Sequence, residues 1–377
     1  MRVTNSMLVN NLMRNLNGNY GKVDKLQNMM ASGRKFAHIS DDPIALIYSQ
    51  SSRNKLARLS HYQTTVGSAK DWLDQAESGL MELQLVFANA YESCVDATHD
   101  GKTNSDKQNI GKVVGQLREH FVDTLNAAFG DKYVYAAYNT PGDPAGNMLG
   151  NEIKPFSVKG DVLYYNGFDL SQFDGMPYSL LNFTPTDAKD INATETELIN
   201  FVNNNNITGA ATYNMNEVAK LLRLKSDDLT FDVGPGIGMP VTMSGIELVL
   251  FNSTNNGDAI VRNAFEVLSD LYEGTTGEKT GVVMSASELT LMIKPLQEAQ
   301  NHLLTKTAVI GGRTRRLELL EARYEQDAIN YQRMKSDAED VDMAEVIMNL
   351  RIAESVMQSS MSAGARIIQP TLMDFLR

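Results

Sequence analysis

The side chains able to do chemistry are few and widely spaced. Five histidines, His38, His61, His99, His120 and His302, are scattered along the chain. None pairs with another at the short helical spacing that aims two imidazoles at one metal ion. They are expected to face solvent from helices, and no metal site is assigned. The single cysteine, Cys94, can form neither an internal disulfide nor a multi-cysteine metal site. It falls where a seven-residue repeat asks for an apolar side chain, which predicts a buried and inert thiol. Gly234-Pro235-Gly236-Ile237-Gly238 has the glycine content of a phosphate loop but lacks both the Lys-Ser/Thr ending and the dinucleotide spacing, so a tight turn is expected. Asp41 and Asp42 could share a proton, yet their place directly before Pro43 suits the cap of a helix that begins there. Arg313-Thr314-Arg315-Arg316 could hold an anion, but Glu318, Glu321 and Glu325 follow at helical spacing and predict ion pairs along a solvated face. No catalytic, cofactor-binding or metal-binding residue is assigned, and the chain reads as a non-enzyme that needs no cofactor.

Composition narrows the partners. The 377 residues are 42% hydrophobic, enough for two or three domains with substantial cores. A net charge of −12, from 34 basic and 46 acidic side chains, opposes attraction to nucleic acid or to an anionic bilayer. No apolar run approaches the roughly 18 residues of a membrane-spanning helix, so the expectation is a soluble protein with no membrane partner. Residues 1–21 mix Val3, Met7 and Leu12 with asparagines and lack the apolar core of a cleavable secretory signal.

The elements that would position such side chains are mostly helices. From residue 43 to about 97, two interleaved seven-residue series run along the chain. One is Leu59, Val66, Leu73, Leu80, Phe87 and Cys94, and the other is Tyr62, Ala69, Ala76, Leu83, Ala90 and Ala97. That spacing keeps one stripe against a partner helix and predicts a coiled-coil seam. A longer helix is predicted over 285–363, with Leu289, Leu296, Leu303, Ile310, Leu317 and Tyr324 seven apart and a bend at Gly311-Gly312. Its second series is interrupted by Lys306, Arg313 and Asp327, which predicts a partly wet face. Shorter amphipathic helices are predicted over 104–129 and 258–271, and another carries Leu12, Leu16 and Val23 and stops near Gly33. Between about 141 and 256 the chain turns rich in Pro, Gly, Asn and Thr. Short runs such as Val162 to Tyr165 and Ile246 to Phe251 predict strands, and Asn203 to Asn206 a loop.

The fold class is therefore mainly α with a β-rich insert, the long N- and C-terminal helices pairing as a coiled coil or helical bundle. The expected division is 1–42 with 345–377 as terminal helices, 43–140 with 255–344 as the heptad domain, and 141–254 as the insert. The last stretch, from 344 onward, is apolar and poor in charge, and nothing else in the chain is free to cover both terminal stripes. Apolar helices of that kind are unstable alone and invite assembly. The residues assigned to seams and ends on this ground are Leu12, Leu16, Val23, Leu59, Val66, Leu73, Leu80, Leu289, Leu296, Leu303, Leu317, Ile347, Leu350 and Met357, with Ser40, Asp41, Asp42 and Pro43 as the turn between helices.

Several segments, in order, resemble the flagellin superfamily and, within it, the branch that joins hook to filament. They are Met1-Arg2-Val3-Thr4-Asn5-Ser6-Met7, Ser32-Gly33-Arg34-Lys35, Ser40-Asp41-Asp42-Pro43, Tyr133-Val134-Tyr135-Ala136-Ala137-Tyr138, Asp232-Val233-Gly234-Pro235-Gly236, Ile310-Gly311-Gly312-Arg313 and Asp342-Met343-Ala344-Glu345-Val346. Gly312 departs from the alanine common in the family, and 141–231 takes no part in the likeness. The resemblance implies a structural adaptor exported unfolded through the flagellar type III apparatus to the cell exterior. It also implies neighbouring copies of the chain, the other junction protein, flagellin and a cytosolic export chaperone as partners, and terminal segments that fold together on assembly to form an inner tube. Three alternatives stay open at this point: a filament flagellin, a hydrolase displayed in the insert, and a cytosolic coiled-coil scaffold.

Overall fold

A computed structural model describes residues 5–36, 38, 40–99, 101–130, 132–137, 154–187, 190–205, 207, 209–226, 228–255 and 257–373. The first four residues of the opening motif, Tyr138, and the start of the insert through residue 153 lie outside that set. In chain order the elements are α1 (Asn5–Ser32), α2 (Pro43–Ala97), α3 (Asn104–Leu125), β1 (Ala128–Phe129), β2 (Lys132–Tyr133), β3 (Phe156–Lys159), β4 (Val162–Tyr165) and β5 (Phe168–Asp169). Then come α4 (Tyr178–Leu181), α5 (Ile191–Asn205), α6 (Met215–Ser226), β6 (Thr230–Gly234), β7 (Ile237–Pro240), α7 (Gly245–Val249), β8 (Leu250–Asn255) and β9 (Asp258–Asn263). The chain ends with α8 (Ala264–Thr276), α9 (Ala286–Glu339) and α10 (Met343–Met373). It is a mainly helical fold with small antiparallel sheets in its middle. Contacts divide it into two compact units, Met1–His61 with Ala322–Arg377, and Tyr62–Glu321.

In the larger unit the α2 seam closes on α9, antiparallel. Lys70 meets Glu321 at 3.6 Å, Gln84 Nε2 donates to Thr307 Oγ1 at 2.6 Å, and the Cys94 thiol lies 3.4 Å from the Leu289 carbonyl. Both α2 series are buried there, from Val66 and Ala69 through to Cys94 and Ala97, while α9 buries mainly the single stripe of Leu289, Leu296, Leu303, Ile310 and Leu317. The rest of the α2 face is closed by its own neighbours in sequence. Phe87 meets Phe121 of α3 edge to face at 5.6 Å, and the buried Tyr135 hydroxyl donates to the Ala76 carbonyl at 2.7 Å. Burial also pushes the Cys94 thiol up to about 11, which keeps it protonated and unreactive at neutral pH.

Several boundaries differ from the sequence expectation. The helix predicted over 285–363 is two helices, and α9 runs unbroken through Gly311 and Gly312, its flanks pinned by the buried Ile310 and Leu317 and by Arg313, whose Nη1 donates to the Thr242 carbonyl at 3.1 Å. The stretch 258–271 begins as strand β9, paired residue by residue with β8, and turns helical only after Asn263, whose side chain caps α8 by accepting from Phe265 N at 3.0 Å. Ile246 lies in α7, not in a strand, Phe129 lies in β1, and Asn203 to Asn205 close α5 instead of forming a loop. The described part of the insert carries the small antiparallel hairpins together with α4 to α7, and it belongs to the same unit as the α2–α9 seam. Pro235 and Gly236 do form the expected tight turn, joining β6 to β7. His302 does not face solvent: its Nε2 lies 2.7 Å from the Glu247 carbonyl, and burial lowers its pKa to about 4, leaving it neutral.

Trp72, the single tryptophan, sits in the larger unit at 5% exposure and reports its unfolding by fluorescence. Replacing Phe121 with Ala removes the Phe87 partner from a fully buried site, and urea titration of that signal is expected to show a loss of about 3–5 kcal/mol.

Candidate assembly interface

The smaller unit brings the two ends of the chain together. Along α1 the residues Leu12, Leu16, Asn19, Val23 and Leu26 alternate at spacings of four and three, the a/d pattern of one helical stripe. Val23 is buried and Leu12 and Leu16 half-buried. The stripe packs antiparallel on α10: Asn19 Nδ2 donates to Ser360 Oγ at 3.2 Å, and the Tyr20 hydroxyl lies 3.9 Å from Met361 Sδ. Gly364 lets the helices close, since a Cβ there would stand 2.8 Å from Leu12 Cδ2. Val346 and Leu350 are buried and Met357 half-buried, but Ile347 is 40% exposed. Charge favours the pairing as well. Residues 1–61 carry nine Lys or Arg against three Asp or Glu, whereas 322–377 carry six against nine.

The links between helices are held as firmly as the helices. Gly33, at φ +68°, ends α1 in the left-handed conformation that a Cβ disfavours. The chain then runs antiparallel to the link between α9 and α10, with Lys35 N donating to the Glu339 carbonyl at 2.8 Å and Val341 N to the Gly33 carbonyl at 3.1 Å. At the turn, Asp42 Oδ1 accepts from Ile44 N at 3.1 Å and Ala45 N at 3.0 Å, capping α2 as Pro43 enters its first turn. Asp41 accepts from His38 N and meets Lys25 of α1 at 3.2 Å, and Ser40 lies exposed beside it. Asp342 repeats the device at α10, accepting from Ala344 N at 2.9 Å and Glu345 N at 3.3 Å.

Beneath these links sits a residue that the sequence reading did not single out. Glu339, the last residue of α9, is 1% exposed. Its carboxylate meets Arg34 Nε at 2.6 Å, accepts from Ser49 Oγ at 2.9 Å and Arg53 Nε at 3.2 Å, and forms a second close contact with the Arg53 fork. Burial alone would raise its pKa. Hydrogen bonds from Arg53 and Ser49, with the charges of Arg53 and Arg34, outweigh burial and hold it below the ordinary carboxylate range. The visible signals were Arg34, in a segment already noted, and the Asp342-x-x-Glu345 spacing of a capped helix start.

Around this buried knot the unit leaves much apolar surface uncovered. Ile44, Ile47 and Tyr48 on α2 are 62–68% exposed, and Met348, Ile352 and Val356 on α10 are 47–56% exposed. A groove of about 410 Å³ between α1 and α10, lined by Leu26, Met29, Ile352 and Val356 with Lys22 and Lys25 at its rim, continues that surface. Large contiguous apolar patches mark interaction sites. The seam residues Leu59, Val66, Leu73, Leu80, Leu289, Leu296, Leu303 and Leu317 are instead at most 6% exposed and covered by the chain itself. Among the described residues no group of His, Cys, Asp or Glu could hold a metal ion, and no helix is long and apolar enough to cross a membrane.

Residues 3–140 match the bacterial flagellin N-terminal helical region. The helical framework of that stretch is thus similar to a flagellin's. Over 154 residues the chain is 24% identical to flagellar hook-associated protein 3 of Escherichia coli, covering 41% of this chain and 49% of that protein. A flagellin of Clostridium tyrobutyricum is 24% identical over 119 residues, 32% of each chain. The chain spans about half the length of the hook-associated relative it matches. Among solved structures, a provisionally named flagellar hook-associated protein of Vibrio parahaemolyticus shares the fold with a TM-score of 0.54 at 13% identity, over 80% of this chain and 100% of that one.

Substituting Glu339 with Gln keeps the shape and removes the charge. The loss expected at neutral pH is about 1.5–3 kcal/mol, read as faster hydrogen exchange in α1 and α10. Because the folded pKa is lowered, the ionised group stabilises fully above the ordinary glutamate value of 4.5, and this contribution drains away as pH falls through the folded value. The gap between native chain and variant is therefore expected to close on acidification. A gap that is constant with pH would remove the carboxylate's charge from the account.

Proposed function

We propose that this chain is a structural adaptor subunit that joins the bacterial flagellar hook to the filament, assembling through its terminal helices. The observation that carries the reading is the antiparallel α1–α10 pair, which brings both ends of the chain into one unit while leaving apolar faces on α2 and α10 open. A catalyst has no use for such faces; a subunit that must close against neighbours does. The flagellin-type helical region and the hook-associated relatives supply the context, and the match to a hook-associated protein extends over more residues than the match to a flagellin.

In this reading residues 1–42 and 345–377 are the part that is locked by assembly, with Leu12, Leu16, Val23, Ile347, Leu350 and Met357 at or beside the α1–α10 contact. The seam leucines act indirectly, by stiffening the long helices that present those ends. The neighbours are further copies of the chain, the other hook–filament junction protein and flagellin. A cytosolic chaperone guards the apolar ends before export through the flagellar type III apparatus, and the mature protein resides outside the cell in the flagellum. The chain performs no catalysis. A segment that completes its folding on binding costs affinity but tolerates passage through a narrow export channel.

Immunogold labelling of intact flagella with an antibody to the 154–254 segment tests the placement. A band confined to the hook–filament boundary is expected; label along the whole filament would make the chain a flagellin, and unlabelled flagella would end the reading. Removing about the last thirty residues, most of α10, is expected to abolish that band while Trp72 fluorescence still reports a folded larger unit.

A further inference from the structure

Methionine occurs 19 times in 377 residues. Met176, Met239 and Met243 of the larger unit are at most 3% exposed, although Met81 there is 55% exposed. In the smaller unit Met7, Met13, Met30, Met334, Met343, Met348 and Met361 are between 38% and 58% exposed. Lys, Glu or Gln would serve a solvated helix face with equal helix propensity, so thioethers there hold apolar surface in reserve for burial. An exposed thioether is also the side chain most open to two-electron oxidation.

We propose that these exposed methionines are an oxidant-sensitive modification site whose conversion to sulfoxide by a peroxide blocks assembly of the free chain. The consequence for assembly rests on the adaptor reading; the selectivity of oxidation does not. A sulfur lone pair attacks one oxygen of hydrogen peroxide, the O–O bond breaks, an S–O bond forms, and the other oxygen leaves as water after proton transfer. Sulfur gives up two electrons and the peroxide takes them. The product carries an oxygen that requires a hydrogen-bond donor, and a face closing on a neighbour's apolar side chains supplies none. Met361 has the Tyr20 hydroxyl 3.9 Å from its sulfur, so its sulfoxide would find a donor. Among the described residues no hydroxyl or N–H group stands beside the sulfur of Met343 or Met348 as Tyr20 does beside Met361, and oxidation there is the more disruptive. The inner α1–α10 stripe is built mainly on Leu12, Leu16, Val23, Val346 and Leu350, none of which peroxide modifies, and its thioethers Met29 and Met357 are half-buried and less open to peroxide than the exposed ones.

The experiment treats the full chain with hydrogen peroxide under native conditions. It maps oxygen gain by peptide mass spectrometry, then measures co-sedimentation with isolated hooks that carry the other junction protein. The exposed methionines are expected to react about tenfold faster than Met176, Met239 and Met243, and incorporation is expected to fall about tenfold, returning after incubation with both methionine sulfoxide reductases. A Met343→Leu, Met348→Leu, Met361→Leu chain is expected to incorporate normally and to lose less incorporation to peroxide than the native chain. Equal oxidation of the buried methionines, or undiminished incorporation of the oxidised chain, would overturn the proposal. Failure of the untreated chain to incorporate would overturn the adaptor reading and with it the assembly half of this inference, while the oxidation map is read independently.

Discussion

Burying the Glu339 carboxylate is costly unless every one of its partners is in place. Arg34 comes from the link after α1, Ser49 and Arg53 from the second and third turns of α2, and Glu339 itself from the end of α9. None of these segments can shift without stranding a charge in a site at 1% exposure. The requirement runs outward from there. Gly33 must turn the chain at the end of α1 so that Arg34 points inward, and the backbone pairing of Lys35 and Val341 must hold the two links side by side. Asp42 and Asp342 must start their helices on cue. A single buried charge thereby fixes the register of segments separated by about three hundred residues, which an apolar contact, being tolerant of sliding, would fix less sharply.

The two units solve the burial problem differently. In the larger one α2 offers two apolar series and receives α9 on one side with α3 and Tyr135 on the others, so its heptads are used up internally. Repeats of that kind can build an internal bundle or seat a neighbour, and here their leucines, at 0–6% exposure, are covered by the chain itself. In the smaller unit α1 and α10 share one narrow stripe, and the opposite face of α10 remains open. If the chain assembles as proposed, the exposed apolar side chains of α10 and the start of α2, Met348, Ile352, Ile44 and Ile47, are better placed to meet a neighbour than the heptad positions themselves.

How far the sequence disclosed this follows from the range of each interaction. The seven-residue series placed α2 within its observed bounds because periodicity is local and the helix is long. The same logic ran α9 into α10, since the apolar pattern continues across residues 340–342 and only the capping aspartate marks the stop. In the middle, Ile246 to Phe251 is too short for its period to decide between helix and strand, and burial from both sides removed the alternation that would have helped. Glu339 itself was passed over for a different reason. Its meaning lies in partners almost three hundred residues away, and a lone glutamate near a helix end reads as solvated. His302 was misread likewise, because burial neutralises it against the pull of the Glu247 carbonyl, and that burial does not show in the register of its own helix.

On the proposed adaptor reading the chain must be stable enough to bear load and incomplete enough to accept neighbours on two sides. The α1–α10 pair and the Phe87–Phe121 core lie in separate units, so losing the pair costs none of that packing. The charge balance supports the same division. Residues 1–61 are markedly basic within a chain of net charge −12, so repulsion between whole chains is strongest away from the ends. Like-charged surfaces then discourage association through the larger unit, and apolar faces with locally opposite charges favour it at the termini. Association is directed to the ends by what the rest of the chain repels as much as by what the ends attract.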